Sequence, residues 1–323
     1  MLLAGDIGAT KTLIGLYAPS ADRPELVNAR AFTTRDHPSL ESIVGEFLDA
    51  ERVPWGAVQA ATFGVAGPIV EQEAELTNVP WRVNAARMGS AFGVPRVTLL
   101  NDLEAMAYSV PVLRPDELAS LQAGRRVATG NAALIAAGTG LGQALLHYVN
   151  GRLIPSPTEG GHADFAPRTA EEIALLEHVA GWFGRADYER VLSGPGLVNI
   201  HRFTHPDGCP ACDPEADPAR KPSLVSQTAL AGACAGCVRA LELFVSIYGA
   251  EAGNLALRSV ATAGVFLGGG IAPKILPALQ GGRFMEAFRA KAPMAEFLSL
   301  VPVSVILNDR AGLLGAAVHA GSV

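Results

Sequence analysis

The stretch Leu2-Leu3-Ala4-Gly5-Asp6-Ile7-Gly8-Ala9-Thr10-Lys11-Thr12-Leu13-Ile14-Gly15-Leu16-Tyr17 decides how the chain is read. Two apolar runs, Leu2 to Ile7 and Leu13 to Tyr17, flank a tip of small and polar residues, the pattern of a β-hairpin. Backbone N–H groups in a glycine turn can surround phosphate oxygens with no side chain in the way. Gly8, Ala9, Thr10, Lys11 and Thr12 offer such a cradle, with hydroxyls and one cation added. Asp6, at the strand end, is a candidate to hold Mg²⁺ through water, because Mg²⁺ keeps several waters and takes one or two carboxylates. For the stretch alone, an ordinary polar hairpin tip is the plainer alternative. No Walker-A sequence occurs, so the chain is not a P-loop protein.

Working outward, Ser39 caps an expected helix with Leu40, Ile43, Val44, Phe47 and Leu48 on one face. Strands are expected over Ala57 to Val65 and Arg96 to Leu100, the second stopping at Asn101-Asp102. The proline-bearing stretch Val110 to Asp116 reads as a domain boundary. A second strand-turn-strand then appears, Ala132 to Ala137 and Gln143 to Val149, around Gly138-Thr139-Gly140-Leu141-Gly142. Thr169 and Glu172 form a capping box before Ile173, Leu176, Ala180 and Phe183. Asp207 to Pro222 reads as a surface loop, and Ser226 to Leu257 as a long helical region. Strands follow at Val265 to Leu267 and Val303 to Leu307, then a closing helix from Ala311. The layout starts twice, so a duplicated α/β fold with an active site in the cleft between its halves is expected. The expected domains are a small one, 1–110 completed by helix 309–323, and a large one, 111–308.

The residue types at these strand ends suit phosphoryl transfer, which needs positioning and charge neutralisation more than covalent chemistry. Gly138, Thr139 and Gly140 form a candidate second cradle. It is no Rossmann fingerprint, since position 143 is Gln and a strand follows where a helix would stand. A glycine-rich β-turn is its plainer alternative. Asp102 is the candidate general base, with a helix N-cap as the alternative. Asn101 can donate to and accept from neighbouring hydroxyls. Glu159 and His162, with Glu189 further on, suit polyol recognition, and metal binding is the rival for a Glu/His pair. Taken alone, Glu189 reads as a helix-surface residue. Gly268-Gly269-Gly270 would let a flat ring lie against backbone, or simply turn a strand into a helix.

With 323 residues, 49% hydrophobic and 17% charged, the chain can build two ordinary cores. A net charge of −6 argues against a nucleic-acid partner. The uncharged stretch Val127 to Gly151 carries Asn131, Gln143, His147 and Asn150, and reads as buried strands rather than a membrane span. No signal peptide is evident, and four cysteines are no disulfide framework, so the expected location is cytoplasmic. Cys209-Pro210-Ala211-Cys212 and Cys234-Ala235-Gly236-Cys237 stand near zinc-ribbon spacing. Cys234 and Cys237 also fall on a stripe with Leu230, Leu241, Phe244 and Tyr248, as small core residues would. Cys209 and Cys212 remain candidates to bind metal with His201 or His205.

As a set, the motifs give the chain its likeness. They are Asp6 to Thr12, Thr77-Asn78-Val79-Pro80-Trp81, Asn101-Asp102-Leu103-Glu104-Ala105, Ala137 to Gly142, Glu159-Gly160-Gly161-His162-Ala163-Asp164-Phe165, Leu192-Ser193-Gly194-Pro195-Gly196 and Gly268-Gly269-Gly270-Ile271. The chain resembles the bacterial glucokinases, within the hexokinase, Hsp70 and actin-like ATPase superfamily, nearly end to end. The resemblance implies a duplicated ribonuclease H-like fold and ATP-dependent phosphorylation of glucose at its 6-hydroxyl, with Mg²⁺. It implies Asp102 as base and Asn101, Glu159, His162 and Glu189 as sugar ligands, and it implies a homodimer. In one respect the chain departs from the wider ROK group, whose members carry a zinc-binding cysteine cluster soon after the Glu-x-Gly-His motif. Here no cysteine lies between His162 and Cys209, which implies a zinc-free member.

Overall fold

The computed structural model describes residues 1–8, 10–54, 56–67, 69–76, 79–205, 208–209 and 217–322. Ala9, Thr77, Asn78, Asp207, Pro210, Ala211 and Cys212, all named above, lie outside the described residues. The chain divides into two compact units, Met1–Arg114 with Asn308–Val323, and Pro115–Leu307.

In the first unit, β1 (Leu2–Ile7) and β2 (Lys11–Ala18) form the expected antiparallel hairpin, and β3 (Glu25–Thr33) continues it on the outer side. β4 (Ala60–Val65) lies parallel to β1. Strand alternation sorts β1 into two faces. Leu3 and Ile7 enter a core with α1 (Leu40–Ala50), whose buried residues are Leu40, Ile43, Val44, Phe47 and Leu48. Leu2 and Ala4 enter a second core with the C-terminal helix Ala311–Ser322. Ser39 caps α1 as expected, its side chain accepting from the Ser42 N–H at 3.2 Å. A small antiparallel sheet follows, β5 (Ile69–Val70), β6 (Glu73–Glu75) and β7 (Arg82–Asn84). Asn84 then caps α2 (Ala85–Phe92), which ends at Gly93 in the left-handed region. β8 (Val97–Asn101) pairs parallel with β4 and runs directly into α3 (Asp102–Ser109).

The second unit is a sheet of six strands in the order β12-β11-β10-β13-β14-β9. Here β9 is Leu118–Gln122, β10 Ala132–Ala137, β11 Leu141–Val149, β12 Arg152–Thr158, β13 Gly264–Gly268 and β14 Val303–Ile306. The central hairpin, its outer antiparallel strand and the two parallel strands repeat the order β3-β2-β1-β4-β8 of the first unit. The duplicated α/β layout is therefore present in the sheets themselves. The helices are α4 (Ala170–Phe183), α5 (Gly194–Thr204), α6 (Lys221–Leu230), α7 (Ala235–Ser259), α8 (Leu276–Gln280), α9 (Arg283–Arg289) and α10 (Ala295–Leu300). The core of α7 packs on the sheet, and the buried Tyr248 hydroxyl donates to the Ile135 carbonyl at 3.3 Å.

Three local expectations need correction. The region Ser226 to Leu257 is not one helix but α6 and α7, bent by 103°. α4 turns Leu175 and Val179 inward and leaves Ile173 and Phe183 exposed, so its apolar face is rotated from the one read from spacing. Thr169 caps α4 through the Glu172 N–H at 3.1 Å. However, the Glu172 carboxylate accepts from the Arg168 N–H at 2.7 Å rather than from the N–H of the cap residue. Its other oxygen accepts from the Arg168 guanidinium at 2.8 Å, which favours the residue just outside the box. Among the described residues, no single helix is long and apolar enough to cross a membrane.

Candidate active site

In the first unit the sheet register brings the chosen residues to one edge. Ile7 pairs with Val65, and Val65 with Asn101, so Asp6 and Asn101-Asp102 stand at the ends of strands separated only by β4. The hairpin tip is braced from below. The Gly8 N–H donates to the Lys11 carbonyl at 3.0 Å, and the Thr34 hydroxyl donates to the Gly8 carbonyl at 2.8 Å. The Thr34 N–H reaches the Thr10 carbonyl at 3.0 Å. Thr12 is fully buried, with its hydroxyl 2.9 Å from that of Thr34. Its hydroxyl is thus engaged inside the hairpin, whereas Thr10 and Lys11 are exposed. Thr34 was not legible as part of the cradle, because it lies two turns of chain away on the far side of β3.

Asn101, not Asp102, is the N-cap of α3. Its Oδ1 accepts from the Leu103 N–H at 3.0 Å and the Glu104 N–H at 3.4 Å. That leaves the amide NH₂ of Asn101 as the group able to meet a hydroxyl, in place of the donor-and-acceptor role expected. Asp102 is the first helical residue and is exposed, with Oδ1 accepting from the Leu103 N–H at 2.8 Å. The cap and the candidate base are therefore neighbouring residues, and neither function displaces the other.

The carboxyl of Asp6 is pushed up to about 6 from its ordinary 3.8, first by burial, then by the nearby charge of Asp102, with Lys11 opposing. A Cβ at Gly312 would lie 2.8 Å from Asp6 Oδ2, so the C-terminal helix closes on this carboxylate only because it carries glycine there. Nothing in the spacing of residues 6 and 312 signals that approach. The shift has a definite sign. Unfolded, the group ionises near 3.8; folded, near 6, so raising the pH through that window favours the unfolded chain. In metal-free buffer, Asp6→Asn is expected to leave stability unchanged near pH 4 and to raise it above pH 6, by up to ~3 kcal/mol. Urea denaturation at the two pH values checks this, and an equal effect at both would show that Asp6 carries no such strain.

In the second unit, β10 and β13 run parallel with Ala136 beside Gly268, which sets the Gly138 turn next to Gly268-Gly269-Gly270. Gly269 has φ +79°, and a Cβ there would meet the Ala137 carbonyl at 2.4 Å, so the two turns touch through backbone. Space is open at Gly138 and Gly270. Thr139 is exposed at the tip between Gly138 and Gly140, where the Gly138 N–H donates to the Gly140 carbonyl at 2.8 Å.

Glu189 joins this turn to the Glu159–His162 segment. It lies in a turn, not on a helix surface. Its Oε2 accepts from the Leu141 N–H at 3.0 Å, and its own N–H donates to the Gly161 carbonyl at 2.8 Å. A Cβ at Gly140 would stand 2.6 Å from that same Oε2. Glu159 and His162 are exposed on a short 3₁₀ turn over Gly160–His162. The His162 Nδ1 lies 4.0 Å from Oδ2 of Asp187, a mostly buried carboxylate not singled out from sequence. Asp187 also accepts from the Arg190 N–H at 3.0 Å, which fixes it behind the imidazole. Behind the segment, Gln143 donates to the fully buried Glu251 at 3.0 Å, and Asn254 and Arg258 supply that carboxylate with further donors.

Two copies of one sheet order, each with a polar glycine tip on its central hairpin, define the actin-like ATPase class, and the chain is a hexose kinase of that class. A family model described as Glucokinase matches residues 3–323. The chain is 38% identical over 339 aligned positions to a glucokinase of Nostoc sp., covering 99% of this chain and 98% of that protein. Among solved structures, a glucokinase from an Antarctic psychrotroph is similar with a TM-score of 0.88 and 29% identity, covering 100% of this chain and 99% of that one. A ROK family glucokinase from Streptomyces griseus, solved with glucose and AMPPNP, shares the fold at a TM-score of 0.65 and 21% identity, covering 100% of this chain and 99% of that one. The chain belongs to the glucokinase family.

Proposed function

We propose that this protein transfers the γ-phosphate of ATP to the 6-hydroxyl of glucose, with Asp102 as general base. The observation that carries the assignment is the division of labour at the β8–α3 junction. Asn101 caps the helix, and Asp102 keeps an exposed carboxylate at the strand end. Asn101, Glu159, His162 and Glu189 are assigned to the sugar. Carboxylates accept from hydroxyls and the imidazole can do both, which suits a polyol. Gly8, Ala9, Thr10 and Lys11 are assigned to the phosphates with Gly138, Thr139 and Gly140, and Gly268 to Gly270 to the base of the nucleotide. Thr12 acts there by bracing the tip.

The residues around Asp6 fit Mg²⁺. A buried carboxylate beside a second one is relieved by a cation, and hard oxygen donors are what this ion takes. Asp6 would hold it through water, and the ion would neutralise charge on the phosphates. The Asp102 carboxylate accepts the proton of the 6-hydroxyl as the oxygen attacks phosphorus, and the backbone cradles hold the phosphates in line. On the strength of the family, the protein is further assigned as a cytoplasmic homodimer.

The test is a coupled assay for glucose 6-phosphate with a panel of hexoses and amino-hexoses, using ATP, ADP or polyphosphate as donor. Turnover preferring glucose and ATP is expected. Preference for another hexose would reassign the substrate, and glucose binding without turnover on any donor would overturn the kinase reading for this chain.

A further inference from the structure

Three cysteines and two histidines that the kinase chemistry does not use converge at the junction of α5 and α7. The Cys209 Sγ lies 3.9 Å from that of Cys234 and 3.7 Å from that of Cys237. The His205 Nε2 lies 3.1 Å from the Cys234 Sγ. His201, His205, Cys209 and Cys237 each place a ligand atom within 4.8 Å of the others. In a tetrahedral zinc site with Zn–S bonds of ~2.3 Å, sulfur atoms stand ~3.8 Å apart, close to the separation of Cys209 from each of the other two. A disulfide would need the sulfurs at about 2 Å, and all three cysteines are free.

Further features favour a built site over chance proximity. Gly236, between the paired cysteines, is where a Cβ would meet the His205 Nε2 at 2.3 Å, so the imidazole reaches the thiols only because residue 236 is glycine. The His205 Nδ1 lies 3.1 Å from the His201 carbonyl oxygen. With Nδ1 donating to that carbonyl, Nε2 is the nitrogen left to face the sulfurs and a metal, the arrangement of a metal-binding histidine. Cys234 and Cys237 open α7, the first as its N-cap, where the helix dipole favours thiolates. Finally, the buried His201 Nε2 has no hydrogen-bond partner among the described residues.

We propose that Cys209, Cys234, Cys237 and His205 bind one structural Zn²⁺ ion per chain, with His201 beside them. Three sulfur–metal bonds form, each thiol still protonated giving its proton to solvent, and His205 adds a neutral nitrogen. No oxidant or reductant takes part. Bound zinc pins the C-terminal end of α5 to the start of α7. The other end of α5 is already fastened to the cradle turn, where the Gly194 N–H donates to the Gly138 carbonyl at 2.8 Å. The proposal stands independently of the sugar and of the assigned base.

The test uses the full chain, purified reduced and stripped of metal, then titrated with zinc against a chromogenic chelator. Expected are one zinc per chain, net release of protons in unbuffered titration, and, with Co²⁺ in place of zinc, the intense visible bands of a four-coordinate thiolate site. Cys209→Ser and Cys234→Ser should each abolish stoichiometric binding. Gly236→Ala keeps every donor but moves the imidazole, so it should weaken zinc and shift the cobalt bands. Circular dichroism on each variant separates loss of ligand from loss of fold, and Gly236→Ala carries the test if the serine variants unfold. An absence of stoichiometric zinc in the reduced chain, binding that survives Cys234→Ser, or cobalt bands of an octahedral oxygen site would each overturn the proposal.

Discussion

Asp102→Asn should retain glucose binding and lose turnover by ~10²- to 10⁴-fold, the span over which general-base catalysis contributes. The substitution is close to silent for the fold. The amide oxygen of Asn can take over from Oδ1 as acceptor for the Leu103 N–H, and Asn101, the true cap, is untouched. Size and most hydrogen bonds to a sugar survive, so KM for glucose should move little while kcat falls. What the amide lacks is a lone pair basic enough to take the proton from the 6-hydroxyl. The loss of the Asp102 charge also removes one of the influences that raise the Asp6 carboxyl, so the variant should be at least as stable as the parent at neutral pH. Steady-state kinetics beside calorimetric glucose binding settle the matter. Turnover near that of the parent would take the base role away from Asp102, whereas lost binding would make it a sugar ligand first.

Gly315→Ala should destabilise the first unit by ~3 kcal/mol or more, at the upper end of overpacking effects. In an open helix the same change would help, since Ala exceeds Gly in helix propensity by about 1 kcal/mol. Packing reverses the sign here. A Cβ on Gly315 would fall 1.8 Å from the Ala105 carbonyl oxygen and 2.9 Å from the Ser109 N, both backbone atoms of α3 that cannot rotate aside. The C-terminal helix would have to lift away from α3 or drag it along. α3 begins at Asp102, so activity should fall together with stability. Gly181→Ala is the control. Gly181 is exposed within α4, with nothing within 4 Å of its would-be Cβ, and the substitution should stabilise by ~0.5–1 kcal/mol. Denaturant midpoints of the pair decide, and a neutral Gly315→Ala would mean that the two helices are not in backbone contact.

Much of the frame was legible because it is local. Hairpin tips, the Ser39 cap and the strand ends at Asn101 and Gly268 announce themselves within a few residues. β3 was missed since eight of its nine residues are not buried and leave no apolar alternation to read. The face of α4 was misread because Ile173 and Phe183 are exposed, and spacing cannot tell a surface hydrophobe from a core one. Site chemistry was legible at the level of residue type but not of partnership. The links from Glu189 to Leu141, from Thr34 to Gly8 and from Gly312 to Asp6 are tertiary, and no spacing rule reaches them. The cysteines illustrate the limit most clearly. A continuous helix would have put Cys234 on a buried stripe. The break after Leu230, with Gly232 at φ +66°, instead puts Cys234 at the start of a new helix beside His205.

The first unit is assembled from both ends of the chain, and this fixes an order of events during synthesis. Residues 115–307 form the second unit in one uninterrupted run, so all of it can emerge from the ribosome and fold while the first unit is still incomplete. The strand that carries Asp6 is made some three hundred residues before the helix that buries its other face. The Thr62 hydroxyl, 3.0 Å from the His319 Nδ1, closes a loop of 257 residues. Such a contact has a high entropic threshold, which falls once the intervening segment has already folded into a compact insert. The unit that carries the assigned base is thereby completed only once its C-terminal helix, Ala311–Ser322, has been made.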